Sequence, residues 1–401
     1  MGLKDRLSSL RENAKYAKWW LKTRIQARQV VSCYDAFDKV YWVPPEQIVA
    51  VSNAPQAPRP IAEHGLVRGG DWDLYTIPWE RFATWNAFCH RFRDNGRWQE
   101  TEWYRILLGK IQAGAAPYRC RTWEDLDCHF AKTDQLYHSI KNEGFKLQTD
   151  LRPTLSIHKA DEVAVHIDRR GHYLFADGRH RLCIAKLLGL ERIPVKVARR
   201  HVEWVKLRQQ ILRYAARRNG RVWQPITHPD LADISSAHGH EIFDLIRQHI
   251  PPGTGTALEV AANWGYLCHR LEEIGLACTA VEPSPRELHF LQRLHLAQKR
   301  RFQIVPKPLS ILNGPLHYDV VLTVNRTGRF LKDNLRQYDL TELLAQANAK
   351  LIFLDPHHPV ADPSADYDPL QFVGAVAARC GMTFRPIGNA FDGKPIYMLE
   401  K

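Results

Sequence analysis

The sequence predicts an α/β protein of two units, an N-terminal α+β domain followed by a doubly wound, mainly parallel sheet. Three observations predict it. From Ala257 onward, short apolar runs alternate with segments of helical period, the pattern of strand–helix units that build a parallel sheet. Between Glu162 and Val197, two apolar runs joined by Arg169, Arg170 and Gly171 lead into a basic turn, a helix-like segment and a third apolar run. A length of 401 residues exceeds a comfortable single core and suits two domains of about 100–200 residues with additions.

Taken in order, residues 1–33 read as a basic amphipathic helix. Leu3, Leu7, Leu10, Ala14, Ala17, Leu21 and Ile25 recur at three and four, with Lys and Arg elsewhere and Trp19 and Trp20 among them. The pattern suits an anionic membrane surface, and equally a helix docked on its own protein or on a second subunit. Residues 34–200 form the first domain. It opens with a short strand in 39–51 and a Pro-rich connection, carries a helical insertion at about 70–130, and has helix stops at Gly114 and Gly144. "EVAVHID" and "HYLFAD" read as a hairpin, followed by a helix over about 180–189 and the strand "IPVKVA". Residues 201–239 begin with a second basic helix that links the halves, and 240–401 hold the alternating strands and helices, from "TALEVA" through "ACTAVEP", "FQIVP", "YDVVLTVN" and "KLIFLDP" to "PIYMLE".

Composition narrows the class. Hydrophobic residues at 45% and charged residues at 25% belong to an ordinary globular protein. A net charge of +13 predicts attraction to polyanions, whether nucleic acid, anionic lipid, or phosphorylated small molecules and glycans. The eight cysteines are scattered, with no CxxC pair and no zinc-ligand spacing. Reduced, mostly buried thiols of a cytoplasmic protein are the expectation. The N-terminus has no apolar core run of a secretory signal, and no stretch approaches the roughly 20 apolar residues that cross a bilayer. Membrane contact is therefore expected to be peripheral, at the inner face.

In an open α/β sheet, ligands bind beyond the carboxyl ends of the strands. There the segment "LEVAANWGYLCHRLEEIG" resembles motif I of class I S-adenosylmethionine-dependent methyltransferases: Glu259 matches the acidic position, Ala261 a position usually held by glycine, and Asn263-Trp264-Gly265 the end of the loop. "CTAVEPSP" places Glu282 where that family's acidic residue accepts hydrogen bonds from ribose hydroxyls. With "YDVVLTVN" and "AKLIFLDPHHP", the resemblance covers about 240–401. It implies a Rossmann-like fold and S-adenosylmethionine as cofactor. The methyl of Ala261 is a small obstacle if the backbone there stays at φ below zero. Near the later strand ends stand Asn325, Arg326, His357 and His358, with Asn325 the catalytic candidate; the His-His pair reads as a polar surface loop flanked by prolines in preference to a catalytic pair. No NPPY-like motif follows the fourth strand, so methylation of base amino groups is not supported.

The turn "FADGRHRL" raises a second chemistry. Gly178 allows close backbone approach, the start of the helix offers free N–H groups, and Arg179, His180 and Arg181 can bond phosphate oxygens. Over about 134–200 the chain resembles the ParB/sulfiredoxin-like superfamily, whose turn is commonly Gly-x-His-Arg. Gly178, His180 and Arg181 match it. The resemblance implies ATP or another nucleotide, and Asp177 matches the acidic residue of the "DGHHR" variant in ParB-like kinases. Arg179 replaces the cysteine that sulfiredoxins need, and no helix-turn-helix follows. A kinase would take Asp177 as base or as ligand to Mg2+, with His180 beside it; Glu46, Glu102 and Asp150 are weaker candidates. Asp177 could alternatively cap the helix.

Together these features predict a bifunctional cytoplasmic enzyme, nucleotide-binding and methyl-transferring, acting on an anionic small molecule or a lipid-linked surface glycan. The competing class is a non-catalytic nucleic-acid-binding or regulatory protein, supported by the basic, aromatic-bearing stretches 1–30 and 199–221.

Overall fold

This computed structural model describes residues 39–53, 65–151, 162–307, 317–324, 334–356, 368–389 and 393–401. The basic helix expected over 1–33 lies outside them. The chain divides after Gln209 into two units.

In unit 1 the run 39–51 is two strands, not one. Pro44 and Pro45 interrupt it, since proline cannot donate to a ladder. β1 (Tyr41–Val43) and β2 (Ile48–Ser52) flank a 3-10 turn at Pro45–Gln47. After β3 (Leu66–Arg68) and β4 (Thr76–Ile77) come the helices α1 (Ala83–Phe92), α2 (Glu102–Gln112), α3 (Trp123–Glu143) and the short α4 (Gln148–Leu151). The predicted stops hold: Gly114 and Gly144 sit at φ +82° and +80° just past α2 and α3, the left-handed conformation that glycine adopts without cost.

β5 (Val163–Ile167) and β6 (Tyr173–Asp177) form the predicted hairpin, and α5 (Arg179–Leu187) and β7 (Ile193–His201) follow. The Asp168 carboxylate closes the hairpin turn by accepting the N–H groups of Arg170 and His172, both at 2.8 Å. The sheet is mixed, ordered β1-β7-β5-β6-β2-β4, with β3 also paired to β7. β7 is its spine. All nine of its residues are buried, including Lys196, Arg199, Arg200 and His201. Aromatic rings receive two of these cations: Arg199 lies 5.1 Å over Trp72, and Arg200 lies 5.3 Å over Tyr41 while donating to its hydroxyl at 2.9 Å.

The helix α6 (Val202–Ala216) carries the chain across the boundary between the units. Unit 2 continues with α7 (Glu241–Arg247), β8 (Thr256–Val260), α8 (Tyr266–Glu273), β9 (Ala277–Val281), α9 (Pro285–Ala297), β10 (Gln303–Val305) and β11 (Val320–Thr323). It ends with α10 (Asn334–Gln346), β12 (Leu351–Leu354), α11 (Pro369–Cys380), β13 (Thr383–Asn389) and β14 (Pro395–Glu400). Its sheet runs β10-β9-β8-β11-β12-β14-β13. The first five of these are parallel, and β14 is antiparallel to both neighbours.

Both faces of this sheet are covered. Ala257, Val320, Leu322 and Phe353 pack with Phe243 of α7, Leu267 and Leu271 of α8 and Leu291 of α9. The alternate residues Leu258, Val321, Ile352 and Leu354 pack with Leu343 and Leu344 of α10 and Val373 and Val376 of α11. Continuous apolar strands are what two-sided burial requires, and each fully buried Val, Leu or Ile contributes roughly 1.5–3 kcal/mol. The sequence reading does not include β13. Its Pro386 and Gly388 read as loop, yet it is an edge strand with an irregular register between those two residues, where proline is tolerated. Among the described residues, no helix is long and apolar enough to cross a membrane.

Gly265, at φ +78° and with an ideal Cβ 2.5 Å from Leu291 Cδ1, fixes the approach of α8 to α9. Gly265→Ala is expected to destabilise unit 2 by about 1–3 kcal/mol. Urea unfolding followed by tryptophan fluorescence measures it, and an unchanged midpoint would contradict this packing.

Candidate functional site

The order of the second sheet reverses between β8 and β11, whose connections leave in opposite directions, so the loop after β8 lies at a topological switch point. It is built from alternation. Ala261, Asn263 and Gly265 all adopt left-handed conformations, at φ +57°, +56° and +78°. Ala261 is thus at positive φ, so the condition under which its methyl would be a small obstacle is not met. The cost of an L-residue there is about 1–2 kcal/mol. Asn263 is the non-glycine type that tolerates this region best.

Three buried carboxylates hold the loop. Glu259, 1% exposed, accepts the Cys268 N–H of α8 at 3.0 Å. Glu282, 2% exposed at the end of β9, accepts the Asn263 N–H through Oε2 and the Ser284 N–H through Oε1, each at 2.8 Å. Glu287 of α9 accepts the Trp264 indole N–H at 2.9 Å and the Tyr214 hydroxyl at 3.2 Å. Trp264 packs against Tyr214 and Phe290, with ring centroids 5.0 and 4.6 Å away. The motif-like residues Glu259, Ala261, Asn263, Gly265 and Glu282 are therefore brought together. Glu259 bonds the main chain of the helix that follows its strand. Glu282 binds main chain through both oxygens.

Burial also sets protonation around the loop. It pushes the Cys268 thiol well up, with help from Cys278 and Glu259, and raises the Tyr266 phenol, which meets His240 Nδ1 at 2.7 Å. Burial and Arg300 hold His269 well below the usual histidine range. Arg300 Nε–H donates to His269 Nδ1 at 3.0 Å, which places the imidazole proton on Nε2.

Gln224, Tyr214 and Glu287 were not singled out in the sequence. Gln224 comes from an irregular segment well upstream of the loop and carries no local signal. Asn263 is located by its place in the motif I-like segment, and its left-handed conformation is seen only in the structure. Asn325, Arg326, His357 and His358 lie outside the described residues.

The turn in unit 1 differs from the expected cluster of three cations. Gly178 is the N-cap of α5 at φ +87°, and an ideal Cβ would stand 3.0 Å from Val163 Cα. Asp177 does not cap the helix; its Oδ1 accepts the adjacent Gly178 N–H at 2.8 Å. The Arg179 guanidinium lies over Trp103 and Phe82 at 5.3 and 5.8 Å. His180 stacks on Phe88 with centroids 5.7 Å apart and stands among Tyr118 and His129. Burial lowers its pKa to about 3, reinforced by His129, Arg179 and Arg181. It is neutral at physiological pH and supplies no charge to an anion. Arg181 Nη1 stands 3.7 Å from the buried Glu162 carboxylate. Glu46, Glu102 and Asp150 are exposed. The helical insertion that sequence reading left without a role supplies the aromatic wall of this turn.

No family model matches the chain, and no curated protein is similar to it. Among solved structures, the bifunctional kinase-methyltransferase WbdD is similar at 14% identity and a TM-score of 0.34, over 47% of this chain and 46% of that one. DesVI of Streptomyces venezuelae is similar at 14% identity and a TM-score of 0.32, over 41% of this chain and 90% of that one. An S-adenosylmethionine-dependent methyltransferase from Clostridium acetobutylicum is similar at 10% identity and a TM-score of 0.32, over 40% of this chain and 88% of that one. The chain spans about half of the WbdD chain it matches. The fold is read from strand order and direction in this chain itself. Unit 2 has a Rossmann-like, methyltransferase-type fold.

Two predictions follow from these geometries. Ala261→Gly relieves left-handed strain at the expense of greater unfolded-state freedom, and is expected to leave stability equal or higher by up to about 1 kcal/mol. A loss of more than that in urea unfolding would contradict the strained conformation. His180 and His166 are both held neutral with pKa values lowered to about 3, His166 by burial and then by Arg199 and Arg68. The unfolded imidazoles take up protons near pH 6.5, so their stabilising effect is complete above that and is lost as pH falls toward 3. Imidazole nitrogen shifts in NMR should remain those of neutral rings at pH 5; protonated rings there would refute this.

Proposed function

We propose that unit 2 binds S-adenosylmethionine at the carboxyl ends of β8 and β9 and transfers its methyl group to an anionic acceptor. The observation that carries this reading is the β8–α8 loop. It sits at the switch point of the sheet, makes three left-handed turns, and is tied by its Asn263 N–H to a buried carboxylate, Glu282, at the end of the neighbouring strand. Buried polar atoms without partners on Asn263 also fit a polar ligand.

In this reading Glu282 orients ribose hydroxyls, its carboxylate held in place at the end of β9 by its main-chain bonds. The loop backbone fixes the position of the sulfonium methyl, and in-line approach of an acceptor nucleophile completes the geometry. The cofactor, when bound, supplies an activated methyl group. The net charge of +13 supports an anionic acceptor such as a phosphorylated small molecule or glycan.

Unit 1 is proposed to be a ParB/sulfiredoxin-like nucleotide site. Its support is the left-handed Gly178, close main chain beside it, and the N-terminus of α5. Arg181, poised between Glu162 and this turn, is the group proposed to meet a phosphate; Asp177 is the carboxylate available to a phosphoryl transfer.

Titration calorimetry is expected to detect S-adenosylmethionine or its demethylated product. Glu282→Gln, which keeps the shape and removes the charge, should weaken it by about tenfold or more. Absence of binding to the unmutated protein would refute the methyltransferase reading. For unit 1, Arg181→Ala should reduce ATP binding sharply in the same assay, and equal affinity would remove Arg181 from the site. Saturable binding without methyl turnover over a range of anionic acceptors would favour a regulatory, non-catalytic protein.

A further inference from the structure

Two carboxamides stand at the start of α8, one bonded to the Trp264 main chain and one on the residue before it, and both are incompletely satisfied. Gln224 is 1% exposed, and its Oε1 accepts the Trp264 N–H at 3.3 Å. That bond fixes the orientation of the amide and turns the Nε2 group away from it, with no partner for its protons. Asn263, adjacent to Trp264, is fully buried, and neither its Nδ2 nor its Oδ1 has a partner. The segment that presents Gln224 is held by the Val222–Ser236 bridge and by Val222 N–H to Ser235 O at 2.9 Å and Ala237 N–H to Val222 O at 2.7 Å. Gln224 is thus delivered by an anchored loop, not by a free end.

A buried amide without a partner carries its full desolvation penalty, and such atoms in a native fold are satisfied by something. We infer that Gln224 and Asn263 form a neutral carboxamide clamp that binds the uncharged hydrogen-bonding face of a nucleoside, so that Gln224 is a ligand-binding residue of unit 2. The inference rests on the reading that unit 2 takes a nucleoside cofactor, and assigns which half of that molecule these residues grip. The chemistry of the surroundings decides the half. Glu259, Glu282 and Glu287 are all buried around the loop, so a ligand carboxylate would meet like charge in a medium that screens poorly. Hydroxyls and base-edge groups both donate and accept. They match one set of amide protons on Gln224 and a complete carboxamide on Asn263.

The test uses full-length protein and three probes: S-adenosylhomocysteine, adenosine and methionine, each titrated calorimetrically into the unmutated chain, Gln224→Met and Asn263→Gly. Glycine at 263 suits φ +56°, so the second variant removes the amide while respecting the backbone. Thermal melts report whether each variant folds. The expected result is that both variants fold and that each binds S-adenosylhomocysteine and adenosine about tenfold or more weakly, the loss of a buried hydrogen bond. Folded variants that bind adenosine like the parent, or that lose only methionine, overturn the clamp while leaving the cofactor reading intact. A parent protein that binds neither S-adenosylhomocysteine nor adenosine overturns both. A liganded crystal structure with water, rather than nucleoside atoms, on Gln224 Nε2 and Asn263 also overturns the clamp.

Discussion

The path of the chain from β8 into α8 governs the second unit. Three left-handed residues at alternate positions reverse the backbone tightly enough for α8 to return over β8 and for Gly265 to lie against Leu291. A turn of this kind exposes main-chain N–H groups, and buried groups require partners. Glu259, Glu282 and Gln224 supply them, from the strand before the turn, from the neighbouring strand and from an upstream loop. The same contacts that stabilise the fold thereby line the place where an open α/β sheet binds ligands. Glu282, a structural residue by its main-chain bonds, is for that reason also the carboxylate on which the proposed cofactor binding is placed.

The first unit illustrates a different constraint, the cost of placing charge inside. Its fully buried strand β7 carries Lys196, Arg199, Arg200 and His201 in the interior, and aromatic faces and a hydroxyl accommodate the guanidinium groups. Arg179 is treated likewise by Trp103 and Phe82, while His180 avoids the cost by staying neutral. Lys196, Arg199 and Arg200 are thus internal architecture, three of the 56 lysines and arginines.

Much of the fold was legible because its signals are local. Apolar runs between helical periods located β8, β9, β11 and β12, and Arg169-Arg170-Gly171 marked the hairpin turn. The exceptions have local causes of another kind. Pro44 and Pro45 split one apparent strand into two that occupy distant places in the sheet, and Pro386 with Gly388 disguised the edge strand β13, whose pairing depends on β14. In the candidate site, Glu259, Asn263, Gly265 and Glu282 could be located through the resemblance of their segments to a methyltransferase motif. Gln224 and Glu287 could not, since their relation to the loop arises only when the sheet and its helices close.

Neighbouring residues alone reveal the alternation of strands and helices, the glycine stops after α2 and α3 and, through the resemblance to motif I, the carboxylates of β8 and at the end of β9. Periodicity and backbone sterics are properties of neighbouring residues, and so can be read from neighbours. The tertiary structure alone decided that Ala261 sits at positive φ, that Asp177 leaves α5 uncapped, that His180 is uncharged and that Arg179 faces aromatic rings. Each of these depends on burial and on groups brought together across the chain, and desolvation is a property of the finished interior.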